Sequence, residues 1–236
     1  MLKHIKSYYI TPSIKPHAFH LGDMINVVQQ THIRAVSLPH IYYMFSNHIC
    51  GCCKNDTNKT LKEILNLLKT PIHYLNATPE HDFIYMKPWW HPNRERNDFD
   101  YLPYTKVINL PIYKDKYVAV QFSSRTNKQK KQINKSDVRR ITSAFKEVIN
   151  LGDDKLDVWM NCGHYDVRQK LDIIAKARFY VGIDSGCTHL ACMTNTPVFI
   201  IHPLQWPANI YYPKTDQIRY ATSVKELLIQ IRTSNL

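Results

Sequence analysis

The chain has 236 residues, 44% of them hydrophobic, which excludes an intrinsically disordered protein and allows one large domain or two small ones. No stretch approaches the ~18 consecutive apolar residues of a membrane span, and the first residues lack the apolar run of a signal peptide, so we expect a cytoplasmic protein. The formal net charge of +12 favours an anionic partner, although richness in Lys, Asn, Ile and Tyr, typical of AT-rich coding sequence, explains part of it.

The N-terminal half contains short apolar segments that predict a mixture of strands and helices. The predicted elements are strands over 7–10, 72–75 and 83–86 and helices over 22–31 and 61–68. A Pro-rich, charged and aromatic segment at 87–105 then predicts a linker. The domain boundary is placed just after it, near residue 110.

The C-terminal half alternates strands and helices more clearly. Apart from one helix, the predicted elements are strands at 116–122, 156–160, 179–183 and 197–202 and helices at 166–177, 186–194 and 223–232. That remaining helix is predicted to begin at Ser136, to keep a 3.6-residue period as far as Ile149 and to be closed by Gly152. Apolar strands without alternation are typical of a parallel sheet covered on both faces, so the sequence predicts an α/β fold with ligands at the carboxyl ends of the strands.

One segment of this half has the pattern of a strand that delivers an acidic residue to the sheet edge. Asp184 ends the strand, and Ser185, Gly186 and Thr188 open the helix that follows. The free backbone N–H groups at such a helix start bind phosphate. A well-capped helix, with Asp184 as its cap and His189 as a packed core residue, explains the same residues equally well.

The same segment resembles the signature of the lipopolysaccharide heptosyltransferases, glycosyltransferase family 9, and has the sequence Val-Gly-Ile-Asp184-Ser-Gly-Cys-Thr-His189-Leu-Ala-Cys-Met-Thr-Asn-Thr-Pro197-Val. Cys187 departs from it, because Pro or Leu is usual there. The resemblance implies the GT-B fold: two Rossmann-like domains with parallel sheets, facing across a cleft, without an essential metal. It implies a reduced N-terminal acceptor-side domain over 1–110 and a C-terminal nucleotide-sugar-binding domain over 111–236.

Three further segments resemble motifs of this family in the family's order. His20-Leu-Gly-Asp23 resembles a Leu-Gly-Asp loop, which implies Asp23 as the catalytic base. Ser123-Ser-Arg-Thr-Asn-Lys128 resembles the phosphate loop, in which a hydroxyl residue and a Lys four positions later contact the donor diphosphate. The donor-binding residues expected on this resemblance are Ser124, Arg125, Lys128, Asp184, Ser185, Gly186, Thr188 and His189.

The third of these segments, Asn161-Cys-Gly163-His-Tyr-Asp166, resembles a Gly-Gly-x-x-Glu loop near the donor ribose. Cys162 and Asp166 stand where the family has Gly and Glu. On the resemblance, Gly163 and Asp166 lie on the ribose side of the donor.

An aromatic and cationic loop is the expected acceptor side, together with Gly22. Trp89, Trp90 and Arg94 could stack on bases or sugars and contact phosphates. A linker whose tryptophans pack against a domain is the alternative. The basic run at 125–131 is interpreted either as a solvated helix entry or as an edge that meets a polyanionic acceptor.

Two other patterns could bind a metal ion but have simpler interpretations. The cluster from Cys50 to Cys53 lacks a second ligand pair at zinc-finger spacing and is interpreted as reduced cysteines in a turn. Asp98-Phe-Asp100 matches a DxD pattern within a charged loop and is interpreted as solvated. We therefore expect no metal and no cofactor, with a nucleotide-diphosphate sugar as co-substrate.

The sequence thus predicts a glycosyltransferase that moves a sugar from a nucleotide-diphosphate donor to a hydroxyl of a polyanionic acceptor, with inversion as the resemblance implies. The acceptor placed first is a hydroxymethylated base of DNA, as modified by bacteriophage enzymes, which would have to be flipped out of a duplex. The alternative acceptor is a bacterial surface glycan such as a phosphorylated lipopolysaccharide core. Two other functions stay open: a non-catalytic binding module that retains the nucleotide-binding site, and a nucleotide-sugar epimerase.

Overall fold

The computed structural model describes residues 8–12, 25, 41–44, 72–75, 83–86, 117–124, 131–202, 212 and 215–234. The chain divides into two compact units, Met1–Leu102 and Pro103–Leu236. The predicted linker and the boundary near residue 110 fall outside the described residues and stay predictions.

The N-terminal unit contains a parallel sheet of four strands among its described residues. These are β1 (Tyr8–Pro12), β2 (Ile41–Met44), β3 (Ile72–Leu75) and β4 (Phe83–Met86). They pair in the order β3-β2-β1-β4. The sequence predicted β1, β3 and β4 but not β2. Ile25 is helical and buried, and the other residues of the predicted helices 22–31 and 61–68 lie outside the described ranges.

The C-terminal unit is built on a six-stranded parallel sheet with helices between the strands. Its strands are β5 (Val118–Gln121), β6 (Val148–Asn150), β7 (Met160–Asn161), β8 (Phe179–Gly182), β9 (Val198–Ile201) and β10 (Ile218–Ala221). Its described helices are α1 (Lys135–Thr142), α2 (Val167–Lys176), α3 (Gly186–Cys192) and α4 (Val224–Thr233).

The strands of this sheet follow the order β10-β9-β8-β5-β6-β7. The chain therefore enters at the centre, moves outward through β6 and β7, returns to β8 beside β5, and moves outward again through β9 and β10. This is the 3-2-1-4-5-6 order of dinucleotide-binding sheets, and its direction reverses between β5 and β8. Those two strands pair in register from Val118 opposite Phe179 to Gln121 opposite Gly182, so the loops after them begin side by side.

The core of the C-terminal unit explains why its strands lack alternation. Val118, Ala119 and Val120 are all buried, because helices cover both faces of the sheet. On one face, β-strand side chains pack with Ile141 of α1 and Leu227 of α4. Burying each such side chain contributes about 2 kcal/mol. The helices α2 and α3 contact each other, and α3 contacts β8 and β9.

The helix predicted from Ser136 to Ile149 is wrong beyond Thr142. Its N-cap is Asn134, whose side chain accepts from the N–H of Asp137 at 2.7 Å. Tight backbone turns follow Thr142, and Val148 and Ile149 belong to β6, between β5 and β7. Their positions fit the helical period, but pairing with two neighbouring strands decided their conformation, and this pairing is invisible to a local pattern.

The strand predicted at 156–160 is shorter in the structure. The side chain of Asn161 accepts from the N–H of Leu156 at 3.0 Å and donates to its carbonyl at 2.9 Å. These bonds fold the segment back on itself, so the strand covers only Met160–Asn161. The sequence also did not predict β10. The remaining C-terminal elements are confirmed to within a few residues, and no helix in the described part of the chain has the length and apolar character needed to cross a membrane.

Candidate functional site

The predicted phosphate loop and the Asp184 segment follow the two strands on either side of the reversal in strand order. Ser124 lies three residues after β5, and Asp184 lies two residues after β8. The side-chain oxygen of Gln121, the last residue of β5, connects this strand to the segment after β8, because it accepts from the Ser185 hydroxyl at 2.7 Å and from the N–H of Cys187 at 3.2 Å. The structure thus brings these predicted donor-binding segments together at one edge of the sheet. We call this place the switch-point edge, defined by residues 122–124 and 183–186.

Buried hydroxyl groups anchor α3 to the end of β8. The Thr188 hydroxyl donates to the carbonyl of Ile183 and lies 3.1 Å from the Tyr180 hydroxyl. Tyr180 reaches it by crossing Gly182, where a Cβ would stand 2.5 Å from the phenol oxygen. Because Gly182 has no side chain, Tyr180 can cross it and reach the Thr188 hydroxyl. The contacts of Thr188 with Tyr180 and Ile183 thereby hold α3 against the end of β8.

The start of α3 is less open than the sequence predicted. The N–H of Cys187 is occupied by Gln121, and the N–H groups of Thr188 and His189 bond the carbonyl of Ser185. Ser185 is the N-cap residue, with no side-chain cap bond, so the interpretation of Asp184 as the helix cap is wrong. Contact between Gly186 and a phosphate stays a prediction.

Asp184 instead lies at the centre of a buried polar cluster. Its Oδ2 is 2.8 Å from Nζ of Lys131, and its Oδ1 accepts from the Tyr212 hydroxyl at 2.6 Å. His189 stacks on Tyr212, with ring centroids 4.5 Å apart, and its Nε2 lies 3.8 Å from Oδ1 of Asp184. His189 is buried, as expected if the segment is a capped helix with His189 as a packed core residue, but its neighbours are polar.

Among the described residues, the charges of this cluster are those of the Lys131–Asp184 ion pair. Burial alone would raise the pKa of Asp184, but the Lys131 ammonium and the hydrogen bonds from Lys131 and Tyr212 hold it below its ordinary value. Burial lowers the pKa of His189 to about 4, against the attraction of Asp184. At neutral pH, His189 is therefore uncharged, and Lys131 is the cation that balances Asp184.

Lys131 was not predicted as a site residue. The interpretation of the basic run at 125–131 as a solvated helix entry is wrong for Lys131, which is only 8% exposed. The interpretation of the run as an edge that meets a polyanionic acceptor stays a prediction. No local pattern predicts the burial of Lys131, because Asp184 is 53 positions away in the chain.

The predicted ribose-side residues have structural roles of their own. A Cβ at Gly163 would stand 2.3 Å from the carbonyl oxygen of Gly152, so glycine is needed where the loops after β6 and β7 meet. Asp166 is the N-cap of α2 and forms a capping box with Gln169, with bonds of 2.7 Å and 3.0 Å. Contact of Gly163 and Asp166 with a ribose stays a prediction.

Seven predicted site residues lie outside the described part of the chain: Gly22, Asp23, Trp89, Trp90, Arg94, Arg125 and Lys128. The cluster from Cys50 to Cys53 and the DxD pattern lie outside it as well. Within the part that is described, no group of three or more His, Cys, Asp or Glu residues is arranged to hold a metal ion. The cysteines described there, Cys162, Cys187 and Cys192, are buried free thiols.

Comparison with known proteins finds similarity in structure. No protein-family model and no curated protein sequence matches the chain. The E. coli heptosyltransferase WaaC with ADP matches with a TM-score of 0.61 and 9% identity, covering 98% of this chain and 99% of that one. A glycosyl transferase family 9 protein from Veillonella parvula matches with a TM-score of 0.55 and 13% identity, covering 100% and 93%. The dodecameric iron-containing glycosyltransferase TibC from enterotoxigenic E. coli matches with a TM-score of 0.54 and 14% identity, covering 94% and 63%.

The chain therefore has the GT-B glycosyltransferase fold, with Rossmann-like parallel sheets in both units and the N-terminal unit reduced. Its structural neighbours include heptosyltransferases and a glycosyl transferase family 9 protein, and family 9 is the family that the motif around Asp184 resembles. At these identities the likeness shows the fold alone.

Proposed function

We propose that this chain is a glycosyltransferase that takes a sugar from a nucleotide-diphosphate donor and transfers it to an acceptor hydroxyl. The observation that carries the proposal is that Ser124 and the pair Asp184 and Ser185 follow two neighbouring parallel strands, β5 and β8, at the switch-point edge. In sheets of this strand order, ligands bind outside the carboxyl ends of the strands where the order reverses. Two structures of WaaC contain ADP and ADP-2-deoxy-2-fluoro heptose, which makes ADP-sugars the first donors to test.

The proposed reaction is a single displacement with inversion. The acceptor oxygen forms a bond to the anomeric carbon while the bond from that carbon to the diphosphate oxygen breaks. Asp23 accepts the acceptor's proton, as a cleft carboxylate can. Ser124, Lys128 and the backbone at Gly186 stabilise the negative charge that develops on the leaving diphosphate. This charge stabilisation is the role that a divalent metal fills in other glycosyltransferases, so the proposed mechanism needs none.

For the acceptor, we propose a polyanion. The support is the formal net charge of +12, which exceeds what one small anionic donor requires. A hydroxymethylated base in DNA and a phosphorylated lipopolysaccharide core both meet this condition. Trp89, Trp90 and Arg94 are the side chains proposed to contact the acceptor.

The experiment measures nucleoside diphosphate release from a panel of nucleotide sugars. Each donor is incubated alone, with hydroxymethylated DNA, and with a lipopolysaccharide core. Asp23→Ala is the test variant and the exposed Asp157→Asn is its matched control. We expect acceptor-dependent release that is lost in Asp23→Ala and kept in Asp157→Asn.

Each acceptor arm decides a separate point. Release only with DNA supports the DNA acceptor, and release only with the core replaces it by the surface glycan. Donor binding without release under any condition contradicts the transferase and supports a binding module. Conversion of the donor to an isomer, without transfer, supports an epimerase.

A further inference from the structure

A buried carboxylate at the switch-point edge would oppose the binding of a diphosphate there. Asp184 has a side chain only 6% exposed and carries a negative charge at neutral pH. A diphosphate brought to the same edge would be repelled by an unbalanced carboxylate in surroundings of low dielectric constant. The protein must therefore neutralise Asp184 before an anionic donor can bind there.

Lys131 is the group that can do this. Its Nζ lies 2.8 Å from Oδ2 of Asp184, and its side chain is 10% exposed. Tyr212 donates a hydrogen bond to the other carboxylate oxygen but brings no charge. His189 lies 3.8 Å away and is uncharged near neutral pH. Among the groups that the structure places around Asp184, Lys131 therefore supplies the compensating charge.

We propose that Lys131 is a positioning residue of the donor site, which acts through Asp184: it holds the carboxylate in place and cancels its charge, so that a nucleoside diphosphate can bind at the switch-point edge. This inference rests on the proposed function. It differs from the role expected for Lys128, which is direct contact with the donor's phosphates.

The proposal makes a specific prediction for a charge series of ligands. Adenosine, AMP and ADP are titrated calorimetrically at pH 8 into wild-type protein, Lys131→Met, Asp184→Asn and the double variant. Lys131→Met removes the ammonium that lies 2.8 Å from the carboxylate, so ADP affinity should fall at least about thirtyfold, AMP affinity less, and adenosine affinity hardly at all. In the double variant the carboxylate charge is also gone, and ADP affinity should return to within about threefold of Asp184→Asn.

The controls separate this role from a purely structural one. Lys135→Met removes an exposed lysine at the start of α1 and should leave all three affinities unchanged. A structural defect would lower the three affinities alike, and adenosine binding reports whether Lys131→Met is folded. If that variant does not fold, the comparison of Asp184→Asn with the double variant still tests the proposal, because both lack the carboxylate charge.

Three results would overturn the inference. Equal ADP affinity in wild type and Lys131→Met would show that the ion pair does not govern donor binding. A double variant as weak as Lys131→Met would show that Lys131 contacts the phosphates directly, and not through Asp184. Failure of wild-type protein to bind any member of an ADP, UDP, GDP and CDP panel would overturn the proposed function itself, and the inference with it. Where another base binds best, its nucleoside and phosphates replace the adenine series.

Discussion

Gly163 illustrates how a residue predicted for ligand contact can be required by packing. The carbonyl oxygen of Gly152 lies 2.3 Å from the position that a Cβ at Gly163 would take. The clash is with backbone, so it cannot be relieved by rotating a side chain. The motif resemblance and the packing requirement both select glycine here, and only the second is visible in the structure.

We therefore expect Gly163→Ala to lower the free energy of unfolding by about 1–3 kcal/mol, the usual cost of overpacking. Urea denaturation followed by circular dichroism measures it. Ser136→Ala, an exposed substitution in α1, is the control and should change stability by less than about 0.5 kcal/mol. An unchanged urea midpoint in Gly163→Ala would mean that the loops after β6 and β7 are not tightly packed.

His189 makes a prediction about pH. Burial lowers its pKa from 6.5 to about 4 in the folded protein, whereas the unfolded chain keeps the ordinary value. Between those values the unfolded state binds the proton and the folded state does not, so stability falls as pH drops from about 6.5 towards 4. The loss should not exceed about 3.5 kcal/mol, since a pKa difference of one corresponds to about 1.4 kcal/mol.

His189→Gln should remove this part of the pH dependence, as measured by urea denaturation at pH 7 and pH 4.5. His164→Gln is the matched control, because His164 is exposed, and it should retain the wild-type pH dependence. Asp184 has a lowered pKa, so it contributes stability that is lost only when pH falls below its ordinary value of 3.8, outside this window. The same pH dependence in His189→Gln and wild type would show that His189 is not held neutral by burial.

At the scale of elements, side-chain bonds decide where several elements begin and end. The side-chain amide of Asn161 forms hydrogen bonds with both backbone groups of Leu156. The predicted five-residue strand is therefore a short one in the structure. Asn161 also accepts from the amide of the buried Asn150 at 2.9 Å. A local hydrophobic pattern does not predict these hydrogen bonds, so the strand was predicted too long.

Asn161→Ala should therefore destabilise the protein by about 1–3 kcal/mol, because the two backbone groups of Leu156 lose their side-chain partner and the buried amide of Asn150 loses one of its acceptors. The expected readout is a lower urea midpoint, together with faster amide hydrogen exchange at Leu156. Asp157→Ala, in the same loop but exposed, should change neither quantity. Unchanged exchange at Leu156 in Asn161→Ala would contradict the role assigned to this side chain.

At the scale of the whole molecule, the excess of positive charge makes a prediction about salt. A net charge of +12 should attract a polyanionic acceptor over a distance that ionic strength controls. We expect KM for the acceptor to rise at least about tenfold between 50 and 300 mM salt, since each phosphate contact adds to the salt dependence. KM for the donor should change much less, because its expected contacts are short-range.

Steady-state kinetics at several salt concentrations measure both constants, with a potassium acetate series as a control for specific anion effects. An acceptor KM that does not depend on salt would contradict the polyanionic acceptor. It would leave the proposed donor chemistry at the switch-point edge untouched.

The sequence by itself determined the α/β class, most strands and helices of the C-terminal unit, and the segments that meet at its switch-point edge. These features depend on local periodicity, helix caps and a contiguous motif, all of which act within a few residues. It also indicated the glycosyltransferase fold through the motif around Asp184, and structural neighbours confirm that fold.

Only the tertiary structure decided the strand order, the conversion of Val148 and Ile149 from a predicted helix to β6, and the pairing of Lys131 with Asp184. The physical reason is the same in each case. These features depend on partners far away in the chain. Strand pairing outweighs the weak local preferences that a sequence pattern records, and a lysine is buried only where the fold brings a carboxylate to it.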